Sequence, residues 1–190
     1  MKKKDKEKLL RYAAFGLGGV WLLSAFGFSN KPATIENIVD QLPRRGAWPR
    51  RNRSAIDTVF VHHSSLYGYD VVSIARGHTA PSTQPGVGPY PGIAYHFVIE
   101  KDGRIWQTLE LEAETAAISS PSLSRRSVSV CLVGNFETER LGSRQEESLI
   151  TVLRHLVSEL GPLKVDPHNA ASVTECPGRN VDLATIITRV

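Results

Sequence analysis

Between residues 54 and 190 the apolar positions fall into short blocks with two different periods. The blocks 56–62 and 128–133 are brief and rich in β-branched residues, which predicts strands. A third strand is predicted over 93–99. Lys101-Asp102-Gly103-Arg104 follows as a tight turn, and 105–108 pairs back. Leu149, Leu153, Leu156 and Leu160 recur every three or four residues and predict an amphipathic helix. Ser143 and Glu146 stand at capping-box spacing before it, and Gly161-Pro162 ends it. A short helix is predicted over 70–76, closed by Gly77, and another over 182–188, with a short strand over 163–166 between the long helix and His168. The proline- and glycine-rich stretch 81–91 predicts a loop. Strands alternating with helices predict an α/β fold with a mixed central β-sheet flanked by helices.

Upstream of residue 53 the pattern changes. Lys2, Lys3, Lys4, Lys6, Lys8 and Arg11 face only Asp5 and Glu7, and residues 12–28 then carry no charge. A basic start before an apolar run is an export signal or a membrane anchor. As a helix, residues 12–28 would span about 26 Å, close to the roughly 30 Å hydrocarbon core. Ala25 and Gly27 also supply the small residues that a signal peptidase reads. Residues 1–28 are therefore expected to be a signal or anchor segment, which puts the domain at the cell envelope, membrane-anchored or exported. Residues 29–52 hold Pro32, Pro43, Pro49 and four arginines, and are expected to be a basic linker with a short helix near 34–42. The folded domain is expected over 53–190.

Charge narrows the partners. The chain carries a formal +4, yet the first eleven residues alone hold +4 and residues 31–53 another +4. Residues 54–190 are thus net acidic, which argues against nucleic acid as a partner.

The candidate chemistry lies in histidines and cysteines. His168 and Cys176 stand eight positions apart, too far for one helical turn and suitable for a loop folding over a metal. His62 and His63 end the first apolar strand. Successive strand residues point to opposite faces, so only one of these two can face a metal, and periodicity does not say which. Two histidines and one cysteine with an open fourth position is the pattern of a catalytic zinc site. Cys131 sits inside a predicted core strand, so a disulfide with Cys176 is not expected.

Four motifs in order carry a family resemblance: Val-His-His-Ser (61–64), Gly-Ile-Ala-Tyr-His-Phe-Val-Ile (92–99) followed by Lys-Asp-Gly, Ser-Val-Ser-Val-Cys-Leu-Val-Gly-Asn-Phe (127–136), and His168 with Thr-Glu-Cys-Pro-Gly (174–178). They resemble the type-2 N-acetylmuramoyl-L-alanine amidases, zinc enzymes that include bacteriophage lysozyme-type amidases and peptidoglycan recognition proteins. The resemblance implies one Zn2+ ion held by His62, His168 and Cys176. It also implies cleavage of the amide between the lactyl group of N-acetylmuramic acid and the L-alanine of the peptidoglycan stem peptide. Tyr95 and Thr174 match the positions that steady the developing oxyanion, and His78 is expected to line the groove for muropeptides together with Tyr95. Two features depart from the family pattern. Relatives carry a histidine near Ala116, and one branch has a glutamate where Cys131 stands. A monomer is expected. The alternative is a peptidoglycan-binding domain without catalysis, as in relatives that have lost a ligand.

Overall fold

The structure, a computed structural model, describes residues 33–66, 68–81 and 89–190. The expected signal or anchor segment 1–28 and most of the expected loop 81–91 lie outside the described residues. No helix among the described residues is long and apolar enough to cross a membrane.

Six strands form one mixed sheet: β1 (Ile35–Asn37), β2 (Thr58–His63), β3 (Phe97–Ile99), β4 (Ile105–Gln107), β5 (Ser127–Leu132) and β6 (Lys164–Pro167). Their order across the sheet is β1-β4-β3-β5-β2-β6. Only the β3–β4 hairpin is antiparallel, and Gly103 at φ +90° makes its tight turn. The helices are α1 (Val71–Thr79), α2 (Pro121–Ser124), α3 (Ser143–Leu160) and α4 (Leu183–Ile187).

The central strands are buried along their whole length, as parallel strands covered on both faces must be. Val59 and Val61 of β2 join Val128, Val130 and Leu132 of β5 in a cluster with Leu149, Val152, Leu153 and Leu156 of α3. Cys131 and Val98 point to the opposite face and pack with Ile74 and Ala75 of α1. Strand alternation therefore sends His62 to the α1 face, where it stands in register with Cys131.

Several expectations need correction. Part of the presumed linker is built into the fold. Residues 35–37 form an edge strand on β4, Val39 and Leu42 are buried, and Trp48 Nε1 donates to the Ile93 carbonyl at 3.0 Å. Apolar positions there are too sparse to show a period, so only pairing with β4 reveals the strand. The helix expected near 34–42 is this strand followed by a single 3-10 turn over Val39–Gln41. The strand expected over 93–99 is shorter, because residues 93–96 precede the ladder. The capping box is not formed: Gly142 is the N-cap of α3 and Ser143 is already helical. Gly77 lies inside α1 rather than closing it, and Asp70 caps that helix by accepting from the Ser73 N–H at 2.7 Å.

Arg51 explains why residues 49–53 cannot float free. Its guanidinium donates to the Leu111 carbonyl at 2.8 Å and to the Ser124 carbonyl. It also approaches His96 Nε2 at 3.2 Å. The Ser129 N–H donates to His96 Nδ1, so the ring proton sits on Nε2 and goes to the Ala113 carbonyl at 3.0 Å. Burial, and then the Arg51 charge, hold His96 down to about 3, so the ring is neutral at physiological pH. Replacing Arg51 with Ala should lower stability by about 2–4 kcal/mol, since it strands two carbonyl acceptors in a partly buried site. Urea unfolding of the two proteins measures this.

Candidate metal centre

The donor cluster forms at the carboxyl ends of β2 and β6, the usual place for ligands in open α/β sheets. His62 ends β2 with one further residue and is 2% exposed. His168 follows β6 directly and opens the 3-10 turn His168–Ala170. The loop that follows returns on itself, because the Asn169 N–H donates to the Cys176 carbonyl at 2.9 Å. That closure carries the buried Cys176 thiol back to the histidines. One donor atom from each of His62, His168 and Cys176 lies within 4.8 Å of the others. The two imidazole centroids are 4.4 Å apart.

These residues fit a zinc ion. Tetrahedral bonds of about 2.0–2.3 Å place donors roughly 3.3–3.6 Å apart. The His62 Nδ1 to Cys176 Sγ separation is 3.9 Å, close to that spacing. His62 Nε2 is buried and has no hydrogen-bond partner among the described residues. Burial holds His62 well below its ordinary value and lowers His168 as well, so both rings are neutral and able to coordinate. Burial pushes the Cys176 thiol up to about 12, while the His63 N–H donating to Sγ at 3.2 Å favours the thiolate.

His63 turns away from the cluster. Its ring faces Phe136 at 6.3 Å and accepts from the Phe136 N–H at 3.3 Å. Tyr95 joins the site, with its ring 5.3 Å from that of His62. Burial raises the Tyr95 phenol well above its ordinary value, with Cys131 and Cys176 beside it adding to the shift, so it stays a donor. Cys131 is fully buried in the core, as expected, and also adjoins the site through Tyr95. Both cysteines are free thiols. Thr174 accepts from the Cys176 N–H at 3.2 Å, which leaves its own hydroxyl proton free to donate. His78 lies one ring further out, 5.3 Å from Tyr95 and 5.7 Å from Tyr90.

An open groove of about 460 Å3 is lined by Trp48, Tyr90, Ala116, Ile118 and Ser119 among others, and meets this array through the Tyr90 ring, 5.7 Å from His78. Sequence reading missed Trp48 and Tyr90. Both sit among prolines and glycines, where no period marks an inward-facing residue, and only the fold brings their rings to 5.7 Å.

A cluster of metal-type donors at the strand ends of a mixed α/β sheet defines the class as an α/β protein built around a candidate metal centre. The family model described as N-acetylmuramoyl-L-alanine amidase matches residues 52–179, and the chain belongs to this family of peptidoglycan amidases. The structure of the endolysin N-acetylmuramoyl-L-alanine amidase LysCS from Clostridium intestinale URNW superposes with a TM-score of 0.68 at 26% identity, covering 82% of this chain and 94% of that one. Drosophila peptidoglycan recognition protein SD shares the fold at 17% identity, with a TM-score of 0.67 over 80% of this chain and 93% of that one. So does human PGRP-IBETAC, at 12% identity with a TM-score of 0.66 over 79% and 93%. A comparison with curated proteins finds no match.

Gly178 sets how close the Cys176 turn can come to the loop that follows β5. Its φ is +103°, and an added Cβ would stand 2.5 Å from the Phe136 carbonyl carbon. Gly178→Ala should therefore cost about 1–3 kcal/mol through backbone strain and contact. Thermal unfolding beside the parent protein checks this.

Proposed function

We propose that this chain is a zinc-dependent hydrolase that cuts the amide between the lactyl group of N-acetylmuramic acid and the L-alanine of the stem peptide. The observation that carries this reading is the convergence of His62, His168 and Cys176 on one point. These three residues would hold one zinc ion. Bound there, the ion supplies polarisation of the scissile carbonyl and a lowered pKa for water. Tyr95 and Thr174 each present a hydroxyl proton, and both are assigned to the oxyanion that develops on that carbonyl. Cys131 stands where one branch of the family has a glutamate. Burial raises its thiol well above the ordinary value, so it stays protonated and cannot replace that carboxylate as a base. The groove beside Trp48 and Tyr90 would receive the muropeptide, and the ring contacts from Tyr90 through His78 to Tyr95 lead from it toward the donor cluster. The human relative solved in complex with glycosamyl muramyl pentapeptide supports that substrate class. Such a substrate implies action in the cell envelope, where the basic and apolar start of the chain also points.

The full chain incubated with purified peptidoglycan should release stem peptides that begin with free L-alanine, identified by mass. A zinc chelator or Cys176→Ser should reduce this release about 10²-fold or more. Release that survives both would overturn the zinc reading. Binding without release would favour the recognition-only alternative.

Zinc loading should also release protons. The histidines are already neutral at pH 7, whereas Cys176, raised to about 12, must lose its proton to coordinate. Titration calorimetry in buffers of different ionisation enthalpy should find about one proton released per zinc, so affinity rises about tenfold per pH unit.

A further inference from the structure

Tyr95 lies just outside the sheet. β3 begins at Phe97, so no ladder hydrogen bond orients Tyr95. On its C-terminal side the chain is secured, since the His96 N–H donates to the Ser129 carbonyl at 2.9 Å. The Tyr95 carbonyl also accepts from Thr108 Oγ1 at 2.6 Å. On its N-terminal side the Ile93 carbonyl accepts from Trp48 Nε1 at 3.0 Å, and the amide next to Tyr95 is held by His78 in the last turn of α1. The Tyr90 N–H donates to the His78 carbonyl at 2.8 Å. The Ala94 N–H donates to His78 Nδ1 at 3.1 Å. One histidine thus grips both ends of the stretch leading into Tyr95. Its ring lies 5.3 Å from Tyr95 and meets Tyr90 edge-on at 5.7 Å. With Nδ1 accepting, the ring proton is on Nε2. Burial holds the ring down to about 4, so this tautomer persists through neutral pH.

We propose that His78 is a positioning residue that sets the Tyr95 hydroxyl through the Ala94 amide and the face of its own ring. This rests on the assignment of Tyr95 to the oxyanion. It differs from the sequence expectation, in which His78 contacts substrate. A direct contact would act on binding, whereas a brace for Tyr95 acts on the chemical step. Asparagine can replace the acceptor, because its side-chain oxygen reaches about as far as Nδ1. Leucine fills similar space and accepts nothing.

The test uses the full zinc-loaded chain on a soluble muropeptide, with kcat and KM measured separately and thermal unfolding of every variant alongside. His78→Leu should lower kcat about 10–100-fold, the scale of a small misplacement of a reacting group, while KM changes less than about threefold. His78→Asn should recover most of that kcat. Tyr95→Phe alone should lower kcat by a comparable factor, and adding His78→Leu to it should cost almost nothing more, since the two act as a unit. A rise in KM at unchanged kcat in His78→Leu would overturn the proposal in favour of substrate contact. Equal losses from His78→Leu with and without Tyr95→Phe would overturn it as well. Full activity in Tyr95→Phe would instead refute the role of Tyr95 itself, a separate failure read from a separate variant. If His78→Leu does not fold, His78→Asn and its double variant with Tyr95→Phe carry the test. A kcat for His78→Asn as low as that of Tyr95→Phe then overturns the proposal.

Discussion

The alternation of side chains along β2 is the constraint on which the site depends. β2 lies between β5 and β6 and is wholly buried, so its register cannot slip without exposing a core face. Val59 and Val61 are committed to the α3 side, and His62 must then face the other way, opposite Cys131. His63 is excluded from the cluster for the same reason. It still contributes through its main chain, whose N–H points at the Cys176 sulfur. Adjacent histidines thus serve one site in two ways, one by its ring and the other by its amide.

Burial makes that site ready for a metal and costly without one. Desolvation disfavours charge on His62, on His168 and on the Cys176 thiol alike. For the histidines this helps, because a neutral imidazole coordinates. For the cysteine it opposes coordination, and only the His63 amide works in the other direction. The other His62 nitrogen, Nε2, has no partner among the described residues, a separate cost that a cation held at Nδ1 would leave in place. A cation among these donors would relieve the thiolate penalty directly, which is why donor chemistry and burial point to the same occupant.

Legibility in the sequence followed the strength of local pattern. The long helix, the Asp-Gly hairpin and the two buried strands were readable because each repeats a period over several residues. The candidate donor set was readable only through the family motifs, and the matched residues do converge in space. Residues 33–52 read as linker in sequence because β1 has three residues and exists only by pairing with β4. Arg51 looked like part of a solvated charge run, yet it is partly buried and bonded to carbonyls of distant loops. The Ser143 capping box failed because Gly142 already supplies the extended residue that starts the helix. Ser and Glu at the right spacing are necessary for that motif but do not say where the first turn begins.

By itself the sequence determined the α/β class, the buried strands, the amidase family and the residue types of a candidate metal centre. Hydrophobic period and motif spacing are local properties of the chain. Tertiary structure alone decided which histidine faces the cluster, how residues 33–52 join the sheet, and that His78 braces the segment before Tyr95. Each of these depends on contacts between residues far apart in the chain, and such contacts leave no period or spacing behind. Only packing, register and the need to satisfy buried polar groups settle them.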